Sequence, residues 1–386
     1  MGTSPLTIGL LTSIGCTLDA FFVPIVQRWR THHQLVVKPA SGTLPEQMDG
    51  TEIIEGLTRQ PSEKAFAAIP NLRKWVKRND LDVVITNTAT ASGLARLSNL
   101  PVPVIYFCHG LHWNGHGPKT WLPQIAEWWL ASRTAAVICI NSDDEEWFAK
   151  HSRNTPQLRL VSGVGLDASR FRRTPRPYND VLRLVWIGEF IERKNPLGVL
   201  GVARHLVELG VDFALEMLGE GPLRKEAAAR LAAEGLAERV RLPGRVDPVQ
   251  HLEAADVVIH TARWEGLPRV LLEAVAVGRP VVAYDVKGVR DVPGAILVRE
   301  GDAAALAVAA RDAAIDGSIA FPDPATLHYE PVADAIAEFA AGIARGRLAG
   351  PETRLVGMAR AARRLAQGPL EPVARRSPFA LQSRVP

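Results

Sequence analysis

The sequence predicts an α/β protein built from two doubly wound, Rossmann-like domains, on three observations. Its 386 residues allow two cores of ordinary size. Short β-branched runs alternate with longer helical patterns, the signature of βαβ units around a parallel sheet. One proline-rich stretch without an apolar period then divides that alternation in two.

In the first half, strands are predicted at 7–12, 81–86, 103–108 and 136–140, each running into polar or glycine-containing loops, with helical patterns at 20–30 and 62–78 between them. The break is 172–180, Arg-Arg-Thr-Pro-Arg-Pro-Tyr-Asn-Asp. A second series follows at 182–188, 214–218, 239–242, 257–260 and 280–284, again with helices between. Domains are therefore expected at 1–175 and 176–325, with helices and an Arg/Pro-rich tail over 326–386. Two such sheets facing each other place a central cleft at their strand carboxyl ends, where doubly wound folds bind ligands.

Composition narrows the function classes. Hydrophobic residues make up 47% and charged residues 22%, as in folded soluble proteins. No long uncharged apolar run and no cleavable leader pattern is present, so a cytoplasmic location is expected. Cys16, Cys108 and Cys139 form no Cys-x-x-Cys pair, and all three are expected as small core residues. The net charge of +4 is concentrated at the end. From residue 343 onward nine arginines face two acids, which leaves the rest of the chain at a net −3. A nucleic-acid reader needs a basic face on a folded module, and the body of this chain has no such surplus.

The segment Glu265-Gly266-Leu267-Pro-Arg-Val-Leu-Leu-Glu273 carries the clearest chemistry. Pro268 suits a helix start and Gly278 its end, so a helix is predicted over 269–277 with Glu265 and Gly266 in the loop before it. First-turn amides, at Leu267, Arg269 and Val270, offer an anion site. Glu273 lies about 7 to 8 Å into the helix at 1.5 Å per residue. That spacing suits a nucleotide sugar: one carboxylate at the sugar ring, the other at the ribose, the diphosphate between. The plainer alternative is a cap and a dipole partner. Gly188-Glu-Phe-Ile-Glu-Arg193-Lys194 follows a predicted strand, and Lys194 is the cation expected to meet the diphosphate, the alternative being a solvated surface pair. Gly219 permits close backbone approach, and Arg245 after Gly244 offers a lip for the base; each is also readable as a plain turn.

In the first half, His109 ends a buried strand and is followed by Leu-His112-Trp113-Asn-Gly-His116. The histidine spacing fits no zinc pattern and lacks a completing carboxylate or thiolate, so no metal is expected. His109 is expected to hydrogen-bond the transferred sugar or the acceptor, and Trp113 to offer a flat face to a sugar ring or lipid, against the alternative of a structural histidine.

Taken together, these residues resemble the family 4 retaining glycosyltransferases of GT-B fold, in particular the bacterial branch that builds capsular and exopolysaccharide repeats. The resemblance spans about residues 5–314. Glu265 through Glu273 resembles the paired-glutamate motif, His109-Gly-Leu-His112 the His-Gly-Phe-His segment, and Gly163-Val-Gly165-Leu-Asp167 the stretch leading to the domain crossover. It implies that Glu265 contacts the donor sugar, Glu273 the ribose, Lys194 the diphosphate and His109 the transferred sugar. The sequence departs from the family at Glu189, where an arginine is usual, and at the N-terminal loop, where only Gly15 carries over to the acceptor side.

The resemblance implies transfer of a hexose or N-acetylhexosamine from a uridine diphosphate donor, with retention and without metal or other cofactor. The implied acceptor is a glycan or polyprenyl-diphosphate-linked sugar at the inner membrane face. A peripheral contact with anionic lipid is expected through Arg73, Lys74, Trp75, Lys77 and Arg78, an ordinary solvated helix end being the alternative. Rival readings are a transferase with a small soluble acceptor, a sugar-nucleotide 2-epimerase and a non-catalytic sugar-nucleotide-binding protein.

Overall fold

The computed structural model describes residues 5–60, 63–111, 113, 118–152, 154–167, 169–177 and 179–346. They form two compact units, one from residues up to 165 together with the returning segment from 328, the other from 166–327. The chain passes between them at Gly165–Leu166, so the proline-rich stretch expected as the boundary lies inside the second unit.

In the first unit the strands are β1 (Thr7–Leu11), β2 (Val36–Ser41), β3 (Glu52–Ile53), β4 (Val83–Thr86), β5 (Val104–Cys108), β6 (Ala136–Cys139) and β7 (Gln157–Arg159). The helices are α1 (Gly15–Phe21), α2 (Val23–Thr31), α3 (Ala68–Arg78), α4 (Ala89–Leu97), α5 (Pro118–Ala131) and α6 (Ser142–His151). All strands pair in parallel, in the order β3-β2-β1-β4-β5-β6-β7. The strands β4, β5 and β6 are buried throughout, which is why they read as unbroken apolar runs. The helix expected over 20–30 is instead two, because the chain turns at Phe22 and restarts with Pro24 in the first turn of α2.

Trp75 is fully buried, and its ring lies where a side chain on Gly9 of β1 would have to go. It sits on the inward stripe of α3 with Ala68, Leu72 and Val76. The aromatic expected to take part in a lipid contact there is therefore withdrawn into the core, while the four cations stay exposed. Arg73 donates to the Ser98 carbonyl at 2.7 Å, and Arg78 pairs with Glu52. Cys16 is exposed on α1, contrary to expectation, whereas Cys108 and Cys139 are buried.

The second unit contains β8 (Leu182–Ile187), α7 (Pro196–Glu208), β9 (Phe213–Leu218), α8 (Arg224–Ala233), β10 (Val240–Gly244), α9 (Pro248–Ala254), β11 (Val257–His260), α10 (Arg269–Val277), β12 (Val281–Tyr284), β13 (Ile296–Val298) and α11 (Ala303–Ile315). Its parallel sheet runs β10-β9-β8-β11-β12-β13, so the strand order reverses between β8 and β11. One apolar cluster spanning Trp186, Leu215, Ile259, Val282 and Leu306 forms its core.

The chain then returns to the first unit as α12 (Tyr329–Ala344). There Trp29 Nε1 donates to the Ala333 carbonyl at 2.8 Å, and Arg28 grips Asp334 with two bonds of 2.7 and 2.8 Å. Gly165, at φ +77°, leaves room for this return, since a Cβ there would lie 2.4 Å from the Tyr329 Cα. The Arg-rich tail from residue 347 lies outside the described residues.

Candidate functional site

The strongest cluster lies where the second sheet reverses, at the carboxyl ends of β8 and β11. After β8 the chain makes a short helical turn over Glu192–Lys194 and then reverses at Asn195, which adopts the left-handed conformation at φ 50°. Asparagine tolerates that conformation better than most side chains. Asn195 Nδ2 donates to the Thr261 carbonyl at 3.1 Å, and Thr261 Oγ1 donates back to the Asn195 carbonyl at 2.9 Å. Trp186 Nε1 in turn donates to Thr261 Oγ1 at 3.1 Å. The loop after β8 is thereby fixed to the loop after β11.

Those bonds set Arg193 and Lys194 onto one carboxylate. Lys194 Nζ contacts Glu265 Oε1, Arg193 donates to Oε2 at 2.5 Å, and His260 Nε2 lies 3.3 Å from Oε1. Burial pushes the Glu265 carboxyl upward, but the His260 hydrogen bond and the charges of Lys194 and Arg193 outweigh it and hold the pKa at about 2. His260 is itself pushed down by burial, against the pull of Glu265, and is neutral at pH 7. The cluster therefore carries two cations and one anion, a net single positive charge.

Helix α10 begins four residues beyond Glu265, with Pro268 as its N-cap rather than its first helical residue, and ends at Gly278 with φ 85°. Its predicted span of 269–277 holds to the residue. Glu273 is 7% exposed and faces Arg269 at 3.4 Å. Burial, only partly offset by Arg269, pushes its pKa up to about 7.

The other donor-side candidates gather on the neighbouring strand ends. The Gly188 amide donates to the Leu218 carbonyl at 3.0 Å, and the Gly219 amide to the Gly244 carbonyl at 2.8 Å. A Cβ on Gly219 would lie 1.9 Å from the Gly188 oxygen, so only glycine fits. Arg245 and Glu189 are both exposed. The negative charge of Glu189 thus points to solvent, while Arg193 reaches in beside Lys194. Gly266 and Leu267 form the turn into α10, where Gly288 packs so closely that a Cβ would meet the Gly266 oxygen at 2.4 Å.

In the first unit, His109 stands at the carboxyl end of β5, stacked on Phe107 at 4.3 Å and on Phe21 at 5.3 Å, with Nε2 against Asn87 Oδ1. Burial lowers its pKa to about 4, so its ring is neutral at pH 7. Asn87 is buried at the end of β4 beside the first sheet's own reversal point. Gly15 is less available than expected. Its amide donates to Thr43 Oγ1 at 2.8 Å, and the Leu44 backbone fills the space a Cβ would take. Trp113 is part-buried and packs at 5.5 Å, in a T-shaped pair, against Trp147. His112 lies outside the described residues, as does His116.

Sequence reasoning missed His260, Thr261 and Asn87. The available signal was a polar residue closing an apolar strand next to a reversal point. Among the described residues no group of histidine, cysteine and acidic side chains is arranged to hold a metal ion, and no helix is long and apolar enough to cross a membrane.

A family model described as glycosyl transferases group 1 matches residues 182–316, and one described as Glycosyltransferase Family 4 matches residues 28–162. The putative glycosyltransferase EpsD of Bacillus subtilis is 27% identical over 265 residues, covering 63% of this chain and 70% of that protein. The UDP-Gal:alpha-D-GlcNAc-diphosphoundecaprenol alpha-1,3-galactosyltransferase of Escherichia coli is 25% identical over 246 residues, covering 58% of this chain and 63% of that one. Among solved structures, Anabaena Alr3699/HepE in complex with UDP matches with a TM-score of 0.65 at 17% identity, over 88% of this chain and 98% of its own.

Proposed function

We propose that this chain, a glycosyltransferase of GT-B fold, moves a hexose or N-acetylhexosamine from a uridine diphosphate donor, with retained configuration, to a hydroxyl of a lipid-linked saccharide in polysaccharide assembly. The observation that carries the donor site is the grip of Lys194, Arg193 and His260 on Glu265 at the reversal of the second sheet, directly ahead of α10. The net positive charge left over faces the place where a diphosphate would rest on the helix amides. Departure of that diphosphate develops negative charge, which fixed cations and amides stabilise without reorganising. Glu265, ionised at every working pH, meets the sugar ring, and Glu273 accepts from the ribose hydroxyls.

The mechanism uses these side chains and no metal ion, so turnover should survive a chelator. His109, neutral at pH 7, offers a hydrogen bond to a sugar at the carboxyl end of β5. The lipid-linked acceptor is supported by the named substrate of the Escherichia coli relative. Peripheral contact with the membrane follows from such an acceptor.

The test is slow hydrolysis of a panel of nucleotide sugars by the purified protein, with Glu265→Ala and Lys194→Ala alongside. One uridine donor should turn over, and each change should lower its rate by about 10²-fold or more. Unchanged turnover in both variants would overturn the site assignment. Conversion of the donor to its 2-epimer without acceptor would overturn the transfer itself.

A further inference from the structure

Helix α5 presents an apolar stripe to solvent. Trp121, Leu122, Ile125, Trp128 and Trp129 are 66, 75, 42, 55 and 44% exposed. Their spacing, i, i+1, i+4, i+7 and i+8, collects them on one side of the helix. Surface helices ordinarily turn such a stripe to the core. In α5 the inward side is supplied instead by Ala131, packed in the first unit's core, and by Glu127. Glu127 is the one acid of the helix, and both its oxygens are taken by the buried Arg96, at 2.5 and 3.1 Å. The exposed stripe therefore carries no negative charge. Just past its end, the Arg133 guanidinium lies over the Trp129 ring at 3.7 Å from the centroid.

We propose that this stripe seats α5 in the interface of an anionic lipid bilayer, with the helix lying along the surface. Three indoles beside Leu122 and Ile125 suit the headgroup level, where one end of the ring is wet and the other apolar. Arg133, held at that level by Trp129, meets lipid phosphates, and no acid on the stripe opposes it. A second copy of the chain fits less well, because a stable protein contact takes about 20–30 residues a side and one helical stripe supplies far fewer. The purpose of the contact rests on the lipid-linked acceptor proposed above, since α5 is the next helix in the chain after β5 and its terminal His109. The binding itself is independent of that reading.

The experiment floats the full-length protein with vesicles of phosphatidylglycerol and phosphatidylethanolamine, against vesicles of phosphatidylcholine alone. A variant carrying Trp121→Gln, Leu122→Gln and Trp128→Gln is run in parallel. The unaltered protein should float with the anionic vesicles, its tryptophan emission should shift to the blue, and the triple variant should partition about tenfold less or weaker still. Donor hydrolysis without lipid and the thermal melt should be the same in both, which separates lost seating from lost folding. A protein that stays in the soluble fraction, equal flotation of the variant, or a dimer that the three changes dissolve would each overturn the proposal. Flotation without any donor hydrolysis would uphold the seating of α5 and overturn the transferase mechanism instead.

Discussion

Glu273 illustrates how a single buried side chain can cost stability. Its carboxyl is buried on α10, and its pKa is raised from 4.5 to about 7. A raised acid contributes its full stability only below its unfolded pKa, and that contribution is lost as pH rises through the folded value. Between pH 4.5 and 7 the free protein therefore gives up stability, by about 3 kcal/mol in order of magnitude at pH 8. The change Glu273→Gln removes the ionisation. The variant should match the parent in denaturant unfolding at pH 4 and exceed it at pH 8, while its affinity for UDP falls. Equal stability at both pH values, with UDP binding retained, would refute both the burial cost and the ribose contact. Glu265 works the other way. Its pKa near 2 keeps it charged, so its partners rather than its titration define its role.

At the scale of elements, the ends of β8, β9 and β10 depend on glycine because their backbones bond side by side beyond the last strand residues. Gly219 is the tightest point, with φ 136° and no room for a Cβ against Gly188. Gly219→Ala should destabilise the second unit by about 2 kcal/mol or more, since it adds both a clash and a strained backbone. A melting curve that does not move would show that the turn relaxes freely. The strands around this point were legible in the sequence, because parallel strands buried on both faces read as continuous apolar runs; β11 and α10 fall on their predicted spans. Edge elements were not. Strand β2 contains Lys38 and Pro39, and β3 has two residues, so neither gives a run of the right kind. Charge also misled. Arg73, Lys74, Lys77 and Arg78 made α3 read as a surface contact, although the spacing of Ala68, Leu72, Trp75 and Val76 buries its aromatic. The outward tryptophans of α5 have no such signature, since a helix apolar on one side reads as a core helix until its surroundings are known. The same limit applies to the candidate site: Glu265, Glu273 and Lys194 stand at readable positions, but the grip of Lys194 and Arg193 on Glu265 depends on two loops meeting in space.

On the scale of the whole molecule, chain order and unit membership part company, since α12 follows the second unit in sequence yet belongs to the first. Its anchor is specific. Asp334 is held to a pKa of about 2, foremost by its hydrogen bond to Arg28, against some burial, with His33 adding to the effect. A depressed acid gives stability above its unfolded pKa, and that share is lost as pH falls toward 2. Each unit also has its own core, so a ligand held in one should protect that one first. Saturating UDP at about 100 times its dissociation constant would stabilise the state that binds it by about 2.7 kcal/mol. Peptide-resolved hydrogen exchange should therefore show slower exchange with UDP in β8, the turn through Lys194, β11 and α10. Asp334→Asn should instead speed exchange in α2 and α12 of the first unit, with the UDP response of the second unit retained. If UDP slowed exchange only in the first unit, the donor site would have to be moved there. If Asp334→Asn left α12 as protected as before, Trp29 and its bond to Ala333 would be sufficient to dock the helix without the ion pair.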